Sequence, residues 1–236
     1  MLPKAILLDL DDTILVEEKA GDIAWERICE LSARETGLYS GKVFNGIVSD
    51  IRHRFWDDPQ KRATLVKDIY QARMTIVRQA LSELNCDNKQ LADSIVRRYT
   101  ALKMEVTDFV PDAEATIKYL KSKGIKLAVL TNGEGKEQRA RIDKFGLSNL
   151  IHACLIAGEL GFGKPDPRVY QLALNKLNVK TDEAWMVGDR LESDILGAKR
   201  LGIFPIWFDS TRKGLPADAE IKPDKTINEI KELLTI

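Results

Sequence analysis

Five short apolar runs punctuate the chain: Ala5 to Leu8, Leu127 to Leu130, Cys154 to Ala157, Ala184 to Val187 and Ile203 to Phe208. Each is continuous rather than alternating and has the length of a strand buried on both faces. Helix-like segments separate the later runs, so the pattern predicts βαβ units and a parallel α/β sheet. Pro111 and Asp112 open one helix that Gly124 can close, and Pro167 opens another directly after Lys164-Pro165-Asp166.

Between the first run and Pro111 the spacing changes from strand to helix. Val43, Ile47, Ile51 and Phe55 recur every fourth residue, Leu65, Ile69, Ala72, Ile76 and Ala80 nearly so, and Leu91, Ile95, Tyr99 and Leu102 form a third stripe. Asp58-Pro59 reads as a helix start and Asn85 to Asn88 as a break. A stretch this long is not a loop of a compact domain. The expected organisation is a Rossmann-like core from residues 1–15 and 108–236, with residues 16–107 inserted after the first strand as a helical cap. Ser210 to Asp224, rich in Gly, Pro and charge, is expected to run over the surface before a last helix near Asn228 to Leu234.

Composition narrows the setting. With 236 residues, 44% hydrophobic and 31% charged, the chain is an ordinary globular one, and 36 basic against 36 acidic residues give no global attraction to nucleic acid or an anionic membrane. Any anion site must be local. No apolar run approaches the roughly 20 residues of a membrane span, and acidic residues follow the N-terminus too soon for a signal peptide. Three scattered cysteines, Cys29, Cys86 and Cys154, suit a reducing compartment, so a cytoplasmic location is expected; a monomer and a homodimer both stay open. The two histidines, His53 and His152, lie far apart and make no zinc-ligand spacing.

The candidate chemistry stands where apolar runs end. The first closes on Asp9-Leu10-Asp11-Asp12-Thr13, the second on Thr131-Asn132-Gly133, and the fourth on Gly188-Asp189 with Asp194 following; Lys164 lies in the loop after the third. Ligands of open parallel sheets bind beyond the carboxyl ends of the strands, so these groups are expected to meet in one crevice. A carboxylate such as Asp9 can attack phosphorus, while a second, Asp11, protonates the departing oxygen and then activates water. Four carboxylates, Asp9, Asp11, Asp189 and Asp194, without a nearby histidine specify a hard cation with oxygen ligands, and Mg²⁺ fits direct ligation by Asp9 and Asp189. Lys164, the Thr131 hydroxyl and the Asn132 backbone amide would hold the phosphoryl oxygens.

Leu7-Leu8-Asp9-Leu10-Asp11-Asp12-Thr13, Leu130-Thr131-Asn132-Gly133, Gly163-Lys164-Pro165-Asp166 and Val187-Gly188-Asp189 with Asp194 resemble, in order and spacing, the four motifs of the haloacid dehalogenase-like hydrolase superfamily. The insert matches the position of the helical cap of many members. The resemblance implies Asp9 as nucleophile, Asp11 as acid/base, Thr131 and Lys164 as phosphate binders and Asp189 as metal ligand. It also implies the Asp11 main-chain carbonyl as a further ligand, with Asp194 a ligand or a holder of metal-bound water. Asp12 stands where glycine is frequent. The dehalogenase branch generally lacks an acid at the Asp11 position, because halide leaves without a proton, so Asp11 favours phosphoryl transfer. Gln138-Arg139, with Arg52 and Trp56 in the insert, is similar to the acylneuraminate-9-phosphatase and pyrimidine-nucleotidase group.

Taken singly, each motif has a blander reading: Asp9-x-Asp11 as a solvated turn, Thr131 to Gly133 as a turn, Asp166 as a helix cap. In order, each at the end of an apolar run or the start of the next helix, they point to a site. The expected activity is a Mg²⁺-dependent phosphate-monoester hydrolase acting on a small phosphorylated metabolite. A phosphomutase and a non-catalytic regulator that binds Mg²⁺ and phosphate are the alternatives. Arg52, His53 and Arg54 read first as a solvated helix face, and the cysteines as small buried hydrophobes.

Overall fold

The computed structural model describes residues 2–58 and 68–236. The chain divides into two compact units, Glu17–Thr107 and the pair of segments Met1–Val16 and Asp108–Ile236.

Within Glu17–Thr107 the described residues form α1 (Glu18–Thr36), α2 (Gly41–Asp57), α3 (Ile69–Glu83) and α4 (Lys89–Val106). Residue 37 supplies a left-handed glycine that stops α1, φ 66°, where a side chain would strain the backbone. Side chains of Asp68 and Asn88 accept from Gln71 N and Leu91 N at the starts of α3 and α4, satisfying otherwise unpaired amides. The core joins Trp25, Ile28, Phe44, Val48, Ile76, Val77, Ile95 and Val96, and Trp25 stacks on Tyr99 with ring centroids 3.9 Å apart. The buried Lys103 ammonium pairs with Glu17, tying the last helix of the unit to its first residue.

One stripe is shifted from its expected place. In α2 the buried positions are Phe44, Val48, Ile51 and Phe55, whereas Val43 is 52% exposed and Ile47 only partly buried. A strict spacing of four drifts off one face of a 3.6-residue helix, and the half of the stripe near the C-terminus is the part that stays in the core. Ile95 and Tyr99 of the third stripe are buried, with Leu91 and Leu102 at its margins. The expected helix start at Asp58-Pro59, and Leu65 of the second stripe, fall at or within the segment outside the described residues.

The second unit is a six-stranded sheet in the order β3-β2-β1-β4-β5-β6, every neighbouring pair parallel. Its strands are β1 (Ala5–Leu8), β2 (Lys126–Thr131), β3 (Ala153–Ile156), β4 (Ala184–Gly188), β5 (Phe204–Phe208) and β6 (Lys225–Ile227). This is a Rossmann-like order, and the reversal of winding falls between β1 and β4. The continuous apolar runs follow from burial on both faces. Ile6, Leu8, Val129 and Val187 point into a core with α5 (Ala113–Ser122) and α6 (Gly135–Lys144), while Ala5, Leu7, Leu130 and Met186 point into another with α7 (Pro167–Leu177). Complete burial of a leucine such as Leu7 or Leu8 stabilises the fold by about 1.5–3 kcal/mol.

The tail departs from expectation at one point, an added strand. After a surface stretch the chain adds a short edge strand, β6, to β5, and the final turn at Ile230–Leu234 is a 3₁₀ helix that buries Ile230 and Leu233. Among the described residues no helix is long and apolar enough to cross a membrane.

Candidate active site

β1 lies between β2 and β4, with Leu8 opposite Val129 and Val187, so the residues just beyond these three strands are neighbours. Asp9 continues the ladder by one bond, its N–H donating to Val187 O at 2.9 Å. The chain then turns sharply: Ile14 and Leu15 donate to Leu10 O, and Asp12 N donates to Leu15 O. At the turn Asp12 takes a left-handed conformation, φ 56°. That accounts for both the glycine frequent at this position and the aspartate found here, a side chain that tolerates the region.

Asp9, Asp189 and Asp194 converge, each offering a carboxylate oxygen within 4.8 Å of the others. Lys164 reaches in from the loop before α7, its Nζ 2.5 Å from Asp9 Oδ1 and 2.7 Å from Asp194 Oδ1. Burial opposes charge on Lys164, but Asp194 and Asp9 outweigh it and hold the ammonium above the ordinary lysine value. Burial drives the Asp9 carboxyl well up, against the pull of Lys164. Burial, with repulsion from Asp194, pushes Asp189 up to about 6 although Arg190 pulls it down.

This donor set fits a hard divalent cation. Among the described residues three carboxylates stand against the Lys164 ammonium, no nitrogen or sulfur ligand accompanies them, and Asp189 Oδ1 is buried without a hydrogen-bond partner.

The supporting contacts are specific. Asn132 grips the Lys164 backbone from both sides, its Nδ2 donating to Lys164 O at 2.6 Å and its Oδ1 accepting from Lys164 N at 2.8 Å. Asp194 Oδ2 accepts from Arg190 N at 3.0 Å, and the Trp207 indole donates to Asp189 O at 2.8 Å. The Tyr170 hydroxyl, on α7, donates to Ser193 O beside Asp194. Gly188 is required by approach: a Cβ there would lie 2.3 Å from Asp194 Oδ2. Thr131 is buried at the end of β2, its Oγ1 accepting from Gly133 N at 3.3 Å.

One sequence expectation changes. The carboxylate cluster has three members rather than four, because the Asp11 side chain is held elsewhere. Its Oδ1 pairs with Arg141, and its Oδ2 accepts from Gln138 Nε2 at 2.9 Å. The Asn132 side-chain amide also clamps Lys164, a contact the sequence did not anticipate. Nor did it anticipate Gln138 and Arg141 as partners of Asp11. The available signal was their spacing of three along α6, on the same face as buried Ile142. His152 serves the sheet, its Nδ1 accepting from Leu127 N at 3.0 Å. Burial pushes the Cys29 and Cys154 thiols up, to about 12 and about 11, which disfavours the reactive thiolate.

Fold and side chains together define a class: a Rossmann-like α/β enzyme whose carboxylates gather beyond the end of its first strand. The sequence pattern of haloacid dehalogenase-like hydrolases matches residues 3–202, and the chain belongs to that family. It is 30% identical to a phosphoserine phosphatase of Thermus thermophilus, covering 98% of this chain and 97% of that one. A glyceraldehyde 3-phosphate phosphatase of Pyrococcus furiosus is 29% identical over 99% of this chain and 92% of its own length. Among solved structures, a 2-haloacid dehalogenase from Pseudomonas syringae aligns with a TM-score of 0.68 at 26% identity, covering 100% of this chain and 97% of that one. Relatives of both chemistries thus share the fold, and the side chains must discriminate between them.

Proposed function

We propose that the protein is a Mg²⁺-dependent phosphate-monoester hydrolase of a small phosphorylated metabolite, working through a phosphoryl group carried on Asp9. The observation that carries this reading is the pairing of a buried Asp9–Lys164–Asp194 cluster with a separate carboxylate, Asp11, outside it. Displacing halide requires one nucleophilic carboxylate. Splitting a phosphate ester also requires a proton for the alkoxide, and the presence of a carboxyl at Asp11 supports that reading.

Asp9 attacks phosphorus, the bond to the ester oxygen breaks, and Asp11 delivers a proton to that oxygen. Asp11 then removes a proton from water, which attacks the same phosphorus and releases inorganic phosphate and free Asp9. Lys164 places its ammonium beside the attacked group, and the Thr131 hydroxyl and Asn132 backbone amide donate to the phosphoryl oxygens. Asp9 and Asp189, with the Asp11 main-chain carbonyl and Asp194, would hold Mg²⁺. Bound there, the ion would neutralise charge on the phosphoryl group. The phosphatase relatives support the same reaction class, and residues 16–107 are read as the cap that selects the metabolite. A cytoplasmic setting accords with the free cysteines.

The test is release of inorganic phosphate from a panel of phosphorylated sugars, sugar acids, amino acids and nucleotides, with Mg²⁺ and after chelation. Release that requires Mg²⁺ and is lost in Asp9→Asn is the expected result. Turnover that survives exhaustive chelation, or a folded Asp9→Asn protein as active as wild type, would overturn the reading.

A further inference from the structure

We infer that Arg141, together with Gln138, is a positioning residue that fixes the orientation of the Asp11 carboxylate for proton transfer. The inference rests on the proposed role of Asp11 and extends it to two residues on α6. Arg141 Nη1 pairs with Asp11 Oδ1, and Gln138 Nε2 donates to Asp11 Oδ2 at 2.9 Å. Arg141 Nη1 also donates to Gln138 Oε1 at 3.1 Å, which closes a three-membered network. Both oxygens of Asp11 are therefore engaged, each by a different donor.

Burial makes this arrangement costly to maintain for any lesser purpose. The Arg141 side chain is 2% exposed and Gln138 4%, on a helix whose only buried apolar residue is Ile142. Guanidinium and amide groups are rarely buried this deeply unless a partner requires it. A second, independent feature serves the same contact. A Cβ on Gly133 would lie 1.9 Å from Gln138 Nε2, so the glycine of the Thr131-Asn132-Gly133 turn makes the room through which Gln138 reaches Asp11.

Asp11 needs such a hold because of where it sits. It follows the strand by three residues, on a turn, and only two positions beyond Asp9, whose charge it opposes. A carboxylate free to rotate would be drawn towards any cation bound among Asp9, Asp189 and Asp194. A clamp from α6 keeps it out of that cluster and facing the leaving group.

The experiment compares an alkyl phosphate with an activated aryl phosphate, using wild type, Arg141→Met, Arg141→Lys, Asp11→Asn and the Asp11→Asn/Arg141→Met double variant. A mispositioned acid should cost the poor leaving group about 10²-fold in the rapid-mix rate of leaving-group release, the step before the hydrolysis common to both substrates, and the activated one about tenfold or less. Arg141→Lys should restore part of the alkyl activity. In the Asp11→Asn background, Arg141→Met should add less than about twofold, since both changes remove the same act. Equal losses in that release rate on both substrates, or a full additional loss in the double variant, would overturn the inference while leaving the phosphatase reading intact. Wild-type alkyl turnover in Asp11→Asn would instead sink the role of Asp11 itself, and the clamp with it. Should Arg141→Met fail to fold by circular dichroism, Gln138→Met carries the same comparison, with a smaller loss of the same leaving-group bias expected.

Discussion

The Lys164 ammonium lies 2.5 Å from a carboxylate oxygen of Asp9, with both side chains nearly sealed from water. Each of these groups makes the other tolerable in the interior. Lys164→Met would leave Asp9 and Asp194 without their cation, at a cost of about 3–5 kcal/mol near neutral pH. At acidic pH the Asp9 carboxyl, driven up by burial and no longer pulled down by Lys164, protonates more readily, so the cost should shrink. Denaturant melts of the two proteins at both pH values check this, and a deficit that does not change with pH would contradict it.

Asp9→Asn keeps the shape of the side chain and removes its nucleophilicity. Phosphate release should fall by at least about 10⁴-fold, as loss of a covalent nucleophile commonly does. Circular dichroism should remain that of the wild type, which separates lost chemistry from lost structure.

Metal binding should strengthen with pH in a definite window. The folded Asp189 carboxyl titrates near 6, above its unfolded value, so the metal-free fold retains a proton that the unfolded chain has already lost. Its contribution to stability is full below the unfolded value and disappears as pH rises through about 6. Mg²⁺ bound there would take the deprotonated form and reverse that loss. Surface pairs such as Glu159 with Arg139 run the other way, their carboxylates held low by hydrogen bonds, so overall stability mixes both signs. The informative readout is the difference in thermal midpoint with and without Mg²⁺, which should widen between about pH 5 and 7. A constant difference would place the cation elsewhere.

Gly188→Ala tests the tight approach behind β4. The added methyl would meet Asp194 Oδ2, Cγ and Cβ, none of which is the free end of a long side chain. Overpacking of this kind costs about 1–3 kcal/mol, and displacement of Asp194 should also weaken the response to Mg²⁺. Wild-type stability together with a wild-type Mg²⁺ requirement would show that the loop yields without effect.

The sequence was most legible where burial is uniform. Leu7 and Leu8 face opposite cores, so their strand had to read as one unbroken apolar run, and the same holds for Val129 and Leu130. Site residues at strand ends were legible for the same reason, because Asp9 and Asp189 interrupt such runs. What stayed hidden depends on contacts between distant segments. Asp11 and Arg141 are 130 positions apart, and no local spacing shows that one satisfies the other. Lys225–Ile227 was missed because an edge strand with two exposed residues of three has no apolar signature. In α2, regular spacing misled, since Val43 continues the pattern while facing solvent.

The central strand of the sheet is also the first to be made. Ala5 pairs with Lys126 on one side and Ala184 on the other, so β1 leaves the ribosome long before either partner exists. All of the helical unit is synthesised in the interval, so its Lys103–Glu17 pair can form once α4 has been made. Folding of this chain is therefore expected to run in two stages, a fast local one for residues 17–107 and a slow one that waits for contacts of high sequence separation. Until β4 emerges, four consecutive apolar residues of β1 remain without their second neighbour, and that interval is when the nascent chain depends most on protection from aggregation.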